Sequence, residues 1–559
     1  ANARPYRSHK IRACDHCRKR KTRCTLDVLG KACVMCRVAG IDCYYNTGKP
    51  VQIQSKRLRS QRVGSNATPC QEVVVSSSPD PGRREVEACW ETLVDEDSEL
   101  THIVGPIMAD DAKVVEQHFS PGFTTAQGGS HYKVCSNDSR EPMLYTKVSR
   151  RRPGFQSNSV AGSQQRMIME QILGHYKEEV ISIYFDKIHP SFPILDQTYL
   201  HDIVKNETIM CELYAISLLY WRSLNLSLGH PQPDTKYFWN LAVSALQEEF
   251  LSPGLSTIHA ALIDLTGRPS LWLTGNVINS GRTVALAHSL GLNRNPRKWK
   301  IHKSEQDMRI RLWWGILIHD RWASFTHGVP PNIIRANYDV PLPVMDDLKI
   351  VCGTSSLHLQ SAEVFISLCT LSQLLGDILP LVYDISIDKQ KNTARKLRQL
   401  EVDLDNWEDC LPEWLHSGQR RPLTPIISGS SNLLLGFLEV KLLIRRIKLH
   451  EATKSGLKEQ ISYYRSESRE GALEIVHFIL ALEKPHMQEF WLPYSAYQLG
   501  STATFLLRCA IETEDKEIKD ACLSSLKNLI DYLEKAREEN DWDIGNVCLT
   551  HCKTAISRM

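Results

Sequence analysis

Four common signals are missing from this sequence. No HExxH zinc-protease helix, phosphate-cradling glycine loop or nucleophile elbow occurs, so catalysis has no recognisable motif and an enzyme is not expected. No apolar run reaches the roughly 18–20 residues that cross a bilayer, so no membrane partner is expected. The first residues, ANARPYRSHK, are basic and polar rather than a charged, then apolar, then small-residue leader. Secretion is therefore not expected, which argues against structural disulfides. Period-two alternation never persists, so strands are not expected to build the fold.

What is present is unevenly distributed. The net charge of +3 conceals sixteen Lys/Arg against three Asp/Glu in residues 1–62, which leaves the remainder near −10. A small basic end on a large, mildly acidic body suggests that only that end meets a polyanion. Six of the 17 cysteines fall between residues 14 and 43. At 559 residues the chain is too long for one core. The spacing predicts a cysteine module over 10–45, a basic linker over 46–62 and a mostly disordered linker over 63–165. Within that linker, 85–100 interleaves Val86, Trp90, Leu93, Val94 and Leu100 with acids and holds no cation. This is the composition of an activation segment, and equally of a solvated acidic linker. From 166 to 559, apolar residues recur at three and four in stretches such as RIRLWWGILIHDRW and NLLLGFLEVKLLIRRI. The expected fold class is mainly α: a small zinc-organised module and a large, irregular all-α body, joined by the disordered linker.

The cysteines are spaced C-x2-C-x6-C-x8-C-x2-C-x6-C, two copies of one half-motif. Two zinc ions with tetrahedral thiolate shells need eight ligand positions, and Cys14, Cys17, Cys24, Cys33, Cys36 and Cys43 supply six sulfurs, so two must bridge. Metal would replace the hydrophobic core that roughly thirty residues cannot build. A single site of Cys14, Cys17, Cys33 and Cys36 is the simpler alternative, but it leaves Cys24 and Cys43 unexplained, each six residues after a C-x-x-C. A redox pair is the other, and it lacks the βαβ context. His16 lies between two ligands that already fill the site, so exposure or a phosphate suits it better.

ACDHCRKRKTRC followed by CVMCRVAGIDC resembles the zinc binuclear cluster of fungal regulators of the galactose-regulator type. The resemblance implies two Zn²⁺ per chain, Cys14 and Cys33 as the bridging pair, double-stranded DNA as partner and the nucleus as location. Gly30 stands in a loop where family members usually carry proline. YFDKIHPSFPILD, GRTVALAHSLGLNRNP and RLWWGILIHDRWASFTHGVPPNI with YDVPLP resemble the family's middle homology region, across roughly 175–345 and less clearly to 510. That region is helical and regulatory in the family, sometimes through a small-molecule effector. A site among its helices lined by Trp313, Trp322 and His319 is the corresponding expectation.

The half-motifs differ in charge. RKRKTR lies between Cys17 and Cys24, whereas the second half holds only Arg37. Only the first helix therefore has the cations to enter a major groove, where guanine N7 and O6 accept from Arg or Lys. By resemblance, C-x-x-C-R-x-x-K-x-x-C assigns base reading to Lys21 with Arg20 beside it and a CGG-type triplet as target. Arg18, Lys19, Arg23 and Arg37 are then phosphate contacts. The competing function is a zinc-dependent protein-interaction or RNA-binding scaffold. Interleaved aromatics would favour RNA, but Tyr44 and Tyr45 follow the last ligand. Transcription coactivators or repressors are the expected protein partners. Val51, Leu58 and Ser65 do not sustain a heptad, so residues 1–62 are expected to be monomeric, with a homodimer left to the body. Two further groupings suit packing better than chemistry. His319 beside Asp320 would be an acid/base pair, but neighbours on a helix point about 100° apart. Cys548, His551 and Cys552 share a helical spacing that suits a packing face equally well.

Overall fold

A computed structural model describes residues 13–20, 24, 32–38 and 40–44 of an N-terminal unit, and 99–105, 107–109, 111, 132–136, 143–155, 159–196, 200–223, 231–267, 273–352, 355–385, 393–416 and 426–556 of a second. The first unit contains α1 (Asp15–Lys19) and α2 (Val34–Val38). The basic linker 46–62 and most of the acidic segment, including Val86, Trp90, Leu93 and Val94, lie outside the described residues.

From residue 166 the second unit is helical, as its periodicity predicts, and a small sheet precedes that body. Strands β1 (Glu99–Ile103), β2 (Tyr132–Ser136) and β3 (Met143–Ser149) form an antiparallel sheet of order β1-β3-β2 inside the span expected to be a linker. Leu100 pairs with Val148 and is buried, so the end of the acidic segment belongs to this sheet. The strands were hidden because what stabilises them is remote in sequence. Tyr145 is buried, its hydroxyl donates to the Leu290 carbonyl at 3.2 Å, and its ring meets Trp299 edge-on at 5.8 Å. Arg150 Nη2 reaches Glu249 at 3.1 Å.

Gly291 sits under that tyrosine with φ +65°, and a Cβ there would lie 2.3 Å from Tyr145 Oη. An L side chain costs roughly 1–2 kcal/mol in this left-handed backbone before any clash is counted. Gly291→Ala is therefore expected to lower the melting temperature of the full chain by several degrees, and pairing it with Tyr145→Phe, which removes the obstructing oxygen, recovers part of the loss.

The helical body comprises, among others, α3 (Ser163–Leu173), α4 (Glu207–Ser217), α5 (Leu255–Thr266), α6 (Leu273–Ser289), α7 (Lys303–His327), α8 (Ser356–Tyr383), α9 (Ser430–Ser455), α10 (Lys458–Leu480), α11 (Tyr494–Glu512), α12 (Lys516–Asn540) and α13 (Asn546–Ile556). Helix α7 starts on His302, whose ring accepts from the Ser304 N–H, and stops at Gly328 with φ +72°, just before Val329-Pro330-Pro331. It is buried on all sides, with Trp313, Trp314 and Trp322 each 2% exposed or less. Helix α8 is by length and mean composition apolar enough to cross a membrane, yet Phe365, Leu368, Leu371, Leu375 and Leu379 are packed inside the core.

Candidate metal centre

Each C-x-x-C places one cysteine just ahead of a helix and the next in its first turn. Cys14 caps α1, where its sulfur accepts from the Cys17 N–H at 3.4 Å. The third cysteine of each half folds back onto the first: the Cys14 N–H donates to Cys24 Sγ at 3.4 Å, and the Cys33 N–H to Cys43 Sγ at 3.4 Å. The halves meet through their sulfurs, with Cys14–Cys33 at 3.8 Å, Cys14–Cys36 at 3.7 Å and Cys17–Cys33 at 3.6 Å. The Asp15 N–H donates to the Tyr44 carbonyl at 3.0 Å and joins the end of the second half to the start of the first.

Two four-sulfur groups result, Cys14-Cys17-Cys24-Cys33 and Cys14-Cys33-Cys36-Cys43, each with its sulfurs within 4.8 Å of one another. Both contain Cys14 and Cys33, the pair the resemblance assigns to bridging. A tetrahedron with metal–sulfur bonds of about 2.3 Å has an edge of about 3.8 Å, so the sulfur spacing suits zinc. The electrostatics agree. Cys33 is pushed down to about 6, first by the Cys36 N–H. At Cys14 burial acts upward, but the N–H and thiol of Cys17 outweigh it and its pKa falls. Burial raises Cys36 and Cys43, and the thiolates they face add to it. Six sulfurs packed this closely cannot all be thiolates without cations among them. Cys14, Cys17, Cys33 and Cys36 are fully buried, and no aliphatic or aromatic side chain joins their cluster among the described residues.

Arg18, Lys19 and Arg20 are exposed on and just beyond α1, with Arg18 only loosely tied to Asp15 at 3.9 Å. Arg37 is exposed on α2. Lys21 and Arg23 lie outside the described residues. The second half also exposes Met35, Ile41 and Tyr44, an apolar surface that the charge count missed although its residue types hinted at it.

Other expected groupings do not form sites. His319 is buried between Tyr494 Oη at 2.8 Å and Thr266 Oγ1 at 3.1 Å, and burial lowers its pKa to about 3. Asp320 instead accepts the backbone N–H groups of Asn332 and Ile333 at 2.8 and 3.0 Å. Trp313 and Trp322 are core residues, and Trp322 Nε1 donates to Ser372 at 2.8 Å. The Trp313, Trp322 and His319 site is therefore corrected to packing. Cys548 and Cys552 are buried while His551 faces out, so those three do not converge.

Residues 12–51 match the Fungal Zn(2)-Cys(6) binuclear cluster domain, and residues 181–409 match the Fungal specific transcription factor domain. An uncharacterised transcriptional regulatory protein of Schizosaccharomyces pombe is 27% identical over 68% of this chain and 66% of its own length. Transcriptional activator protein DAL81 of Saccharomyces cerevisiae is 24% identical over 63% of this chain and 41% of its own. Transcription factor cpaR of Aspergillus oryzae is 23% identical over 72% and 71%. The chain thus spans just under two thirds of the first of these relatives and less than half of the second. No solved structure matches it.

Proposed function

The chain belongs to the fungal Zn(2)-Cys(6) transcription factors, DNA-binding regulators rather than enzymes, and on that premise we propose that it reads CGG-type triplets at RNA polymerase II promoters in the nucleus. The observation that carries this reading is the pair of four-sulfur groups sharing Cys14 and Cys33, beside a first helix that presents three consecutive exposed cations. In it, Cys14, Cys17, Cys24, Cys33, Cys36 and Cys43 hold two Zn²⁺, with Cys14 and Cys33 shared. The ions supply cross-linking in place of a core and no reaction chemistry. The chain's own residues do the recognition. Lys21 and Arg20 donate to guanine N7 and O6, while Arg18, Lys19, Arg23 and Arg37 meet phosphates.

Selection of bound sequences from a random duplex pool tests the triplet, and enrichment of CGG with a defined spacing is the expected outcome. Lys21→Ala is expected to cost about 1–3 kcal/mol on that site and to flatten preference among triplets. Arg23→Ala weakens all sequences alike and reduces the log–log salt slope by about 1. Equal loss on CGG and scrambled DNA with Lys21→Ala, both zincs retained, removes Lys21 from base reading.

The body is the regulatory part on this reading, open to a small-molecule effector and to a second copy of the chain. Coactivators are the chain's partners through Trp90, Leu93 and Val94 of the linker segment 85–100, and "activator" in the name of DAL81 accords with that choice over repression. A fusion of residues 80–105 to an unrelated DNA-binding domain is expected to raise reporter output.

A further inference from the structure

Helices α8, α9 and α11 diverge at one end around a cavity of about 840 Å³, within the range of small-molecule sites. One part of its wall is apolar, formed by Phe325, Leu379, Leu443, Ile447 and Phe505. The rest is cationic: Lys396, Arg446, Lys454 and Arg508 stand against only two acids, Asp384 and Glu451.

Arg446 is the unusual member. It projects from α9 over the Phe505 ring, its carbon 5.3 Å from the centroid, and donates one Nη1 bond to Ser501 Oγ at 2.9 Å. No carboxylate among the described residues lies within 4 Å of it. Of the wall acids, Glu451 is held by Lys454 at 2.9 Å. Arg508 is paired with Glu512 at 2.8 Å. The acid whose charge acts on Arg446 is Glu439, which is fully buried and bonded to Thr502, and burial raises it to about 8 against the opposing pull of Thr502 and Arg446. Burial also lowers the pKa of Arg446 itself. A guanidinium has five donors in a planar fork, and this one, half-buried at the cavity wall, uses one of them on a neutral hydroxyl. Its remaining donors suit the planar, bidentate recognition of a carboxylate.

We propose that this cavity binds a small organic acid, whose carboxylate is received by Arg446 and Ser501 while its apolar portion lies against Phe505, Leu443 and Leu379. The proposal deepens the reading of the body as a regulatory unit by giving its effector a chemical class and a place. The site is distinct from the tryptophan cluster on α7.

Calorimetric titration of the full, zinc-loaded chain with octanoate, octanol and octylamine tests it, with inorganic phosphate as an anion lacking an apolar part. Octanoate is expected to bind and to raise the melting temperature, and the other three to bind at least tenfold more weakly. Arg446→Met should lower octanoate affinity about 10–100-fold, the value of a charge-assisted hydrogen bond, and Arg446→Lys by less. The unliganded Arg446→Met chain should melt no lower than the parent, because a half-buried cation with one hydrogen bond to a neutral hydroxyl is replaced by an apolar side chain of similar reach; a residue serving only the fold would lower it. Octanol or octylamine binding as well as octanoate overturns the proposal, as does octanoate affinity weaker than about 10 mM or unchanged in Arg446→Met. Binding is read directly, so a promoter that ignores octanoate counts against the regulatory reading and leaves the site standing.

Discussion

Cys14→Ala or Cys33→Ala is expected to release both zinc ions, unfold the N-terminal module and abolish specific DNA binding, whereas Cys24→Ala releases one. The difference follows from which four-sulfur group each residue serves. Cys24 belongs only to the group with Cys14, Cys17 and Cys33, so its loss leaves Cys14, Cys33, Cys36 and Cys43 intact. Cys14 and Cys33 belong to both, so losing either leaves three sulfurs in each. Structural zinc contributes on the order of 10–16 kcal/mol of folding free energy per site in small peptides. No aliphatic or aromatic side chain of the described module joins its sulfur cluster to hold it otherwise. Chelation should therefore reproduce the Cys14→Ala phenotype in residues 1–62, with helical circular dichroism and DNA affinity lost together, the latter by at least about 10³-fold. Metal analysis by mass spectrometry gives the count. One zinc in the parent, retained in Cys24→Ala, would replace the binuclear centre with the four-cysteine site of Cys14, Cys17, Cys33 and Cys36.

The module was legible because its determinants are local and repeated. Cys14, Cys17 and Cys24 recur at a constant offset as Cys33, Cys36 and Cys43, and valence alone then requires sharing. Geometry adds which two sulfurs are central. The helical body was legible as a class for the same reason, since three-and-four spacing is a local property. The sheet was not, because Leu100 and Tyr145 are fixed by α6, the turn at Leu290 and Trp299, more than a hundred residues downstream. Residues 143–149, MLYTKVS, bury Met143, Leu144 and Tyr145 in succession, so even the observed strand lacks the alternation that would have announced it. Arg446 was likewise invisible. In NLLLGFLEVKLLIRRI it reads as one of three cations on a helix, and only the fold shows that it lines a cavity with residues of α8 and α11. The aromatic residues that drew attention instead, Trp313 and Trp322, were conspicuous for their size, and size is what fills a core.

Asp320→Ala should be among the most damaging single changes in the body, and its cause is structural although the residue adjoins a histidine. The carboxylate is fully buried, and its two oxygens take three hydrogen bonds from the segment that follows α7: Asn332 N at 2.8 Å, Asn332 Nδ2 at 3.0 Å and Ile333 N at 3.0 Å. Arg321, also buried, lies 3.3 Å from the same carboxylate and donates to the Ile333 carbonyl at 2.7 Å, so the pair holds Ile333 by both its N–H and its C=O. Space beside the arginine is as tight, because a Cβ on Gly376 of α8 would stand 2.6 Å from its Nε. Alanine at 320 removes the acceptor for two backbone N–H groups and leaves a buried guanidinium facing them. Removing one partner of a buried, hydrogen-bonded ion pair costs about 3–5 kcal/mol. At roughly 1 °C per kcal/mol for a unit of this length, the calorimetric transition of the body should fall by about 3–5 °C. Asp320→Asn is the discriminating control. It keeps one acceptor oxygen but loses the charge opposite Arg321, so it should recover only part of the deficit. A full recovery would mean that hydrogen bonding to the Asn332–Ile333 peptide, and not the charge pair, holds this turn, while no loss in Asp320→Ala would mean that the turn is held by the packing of Ile333 alone.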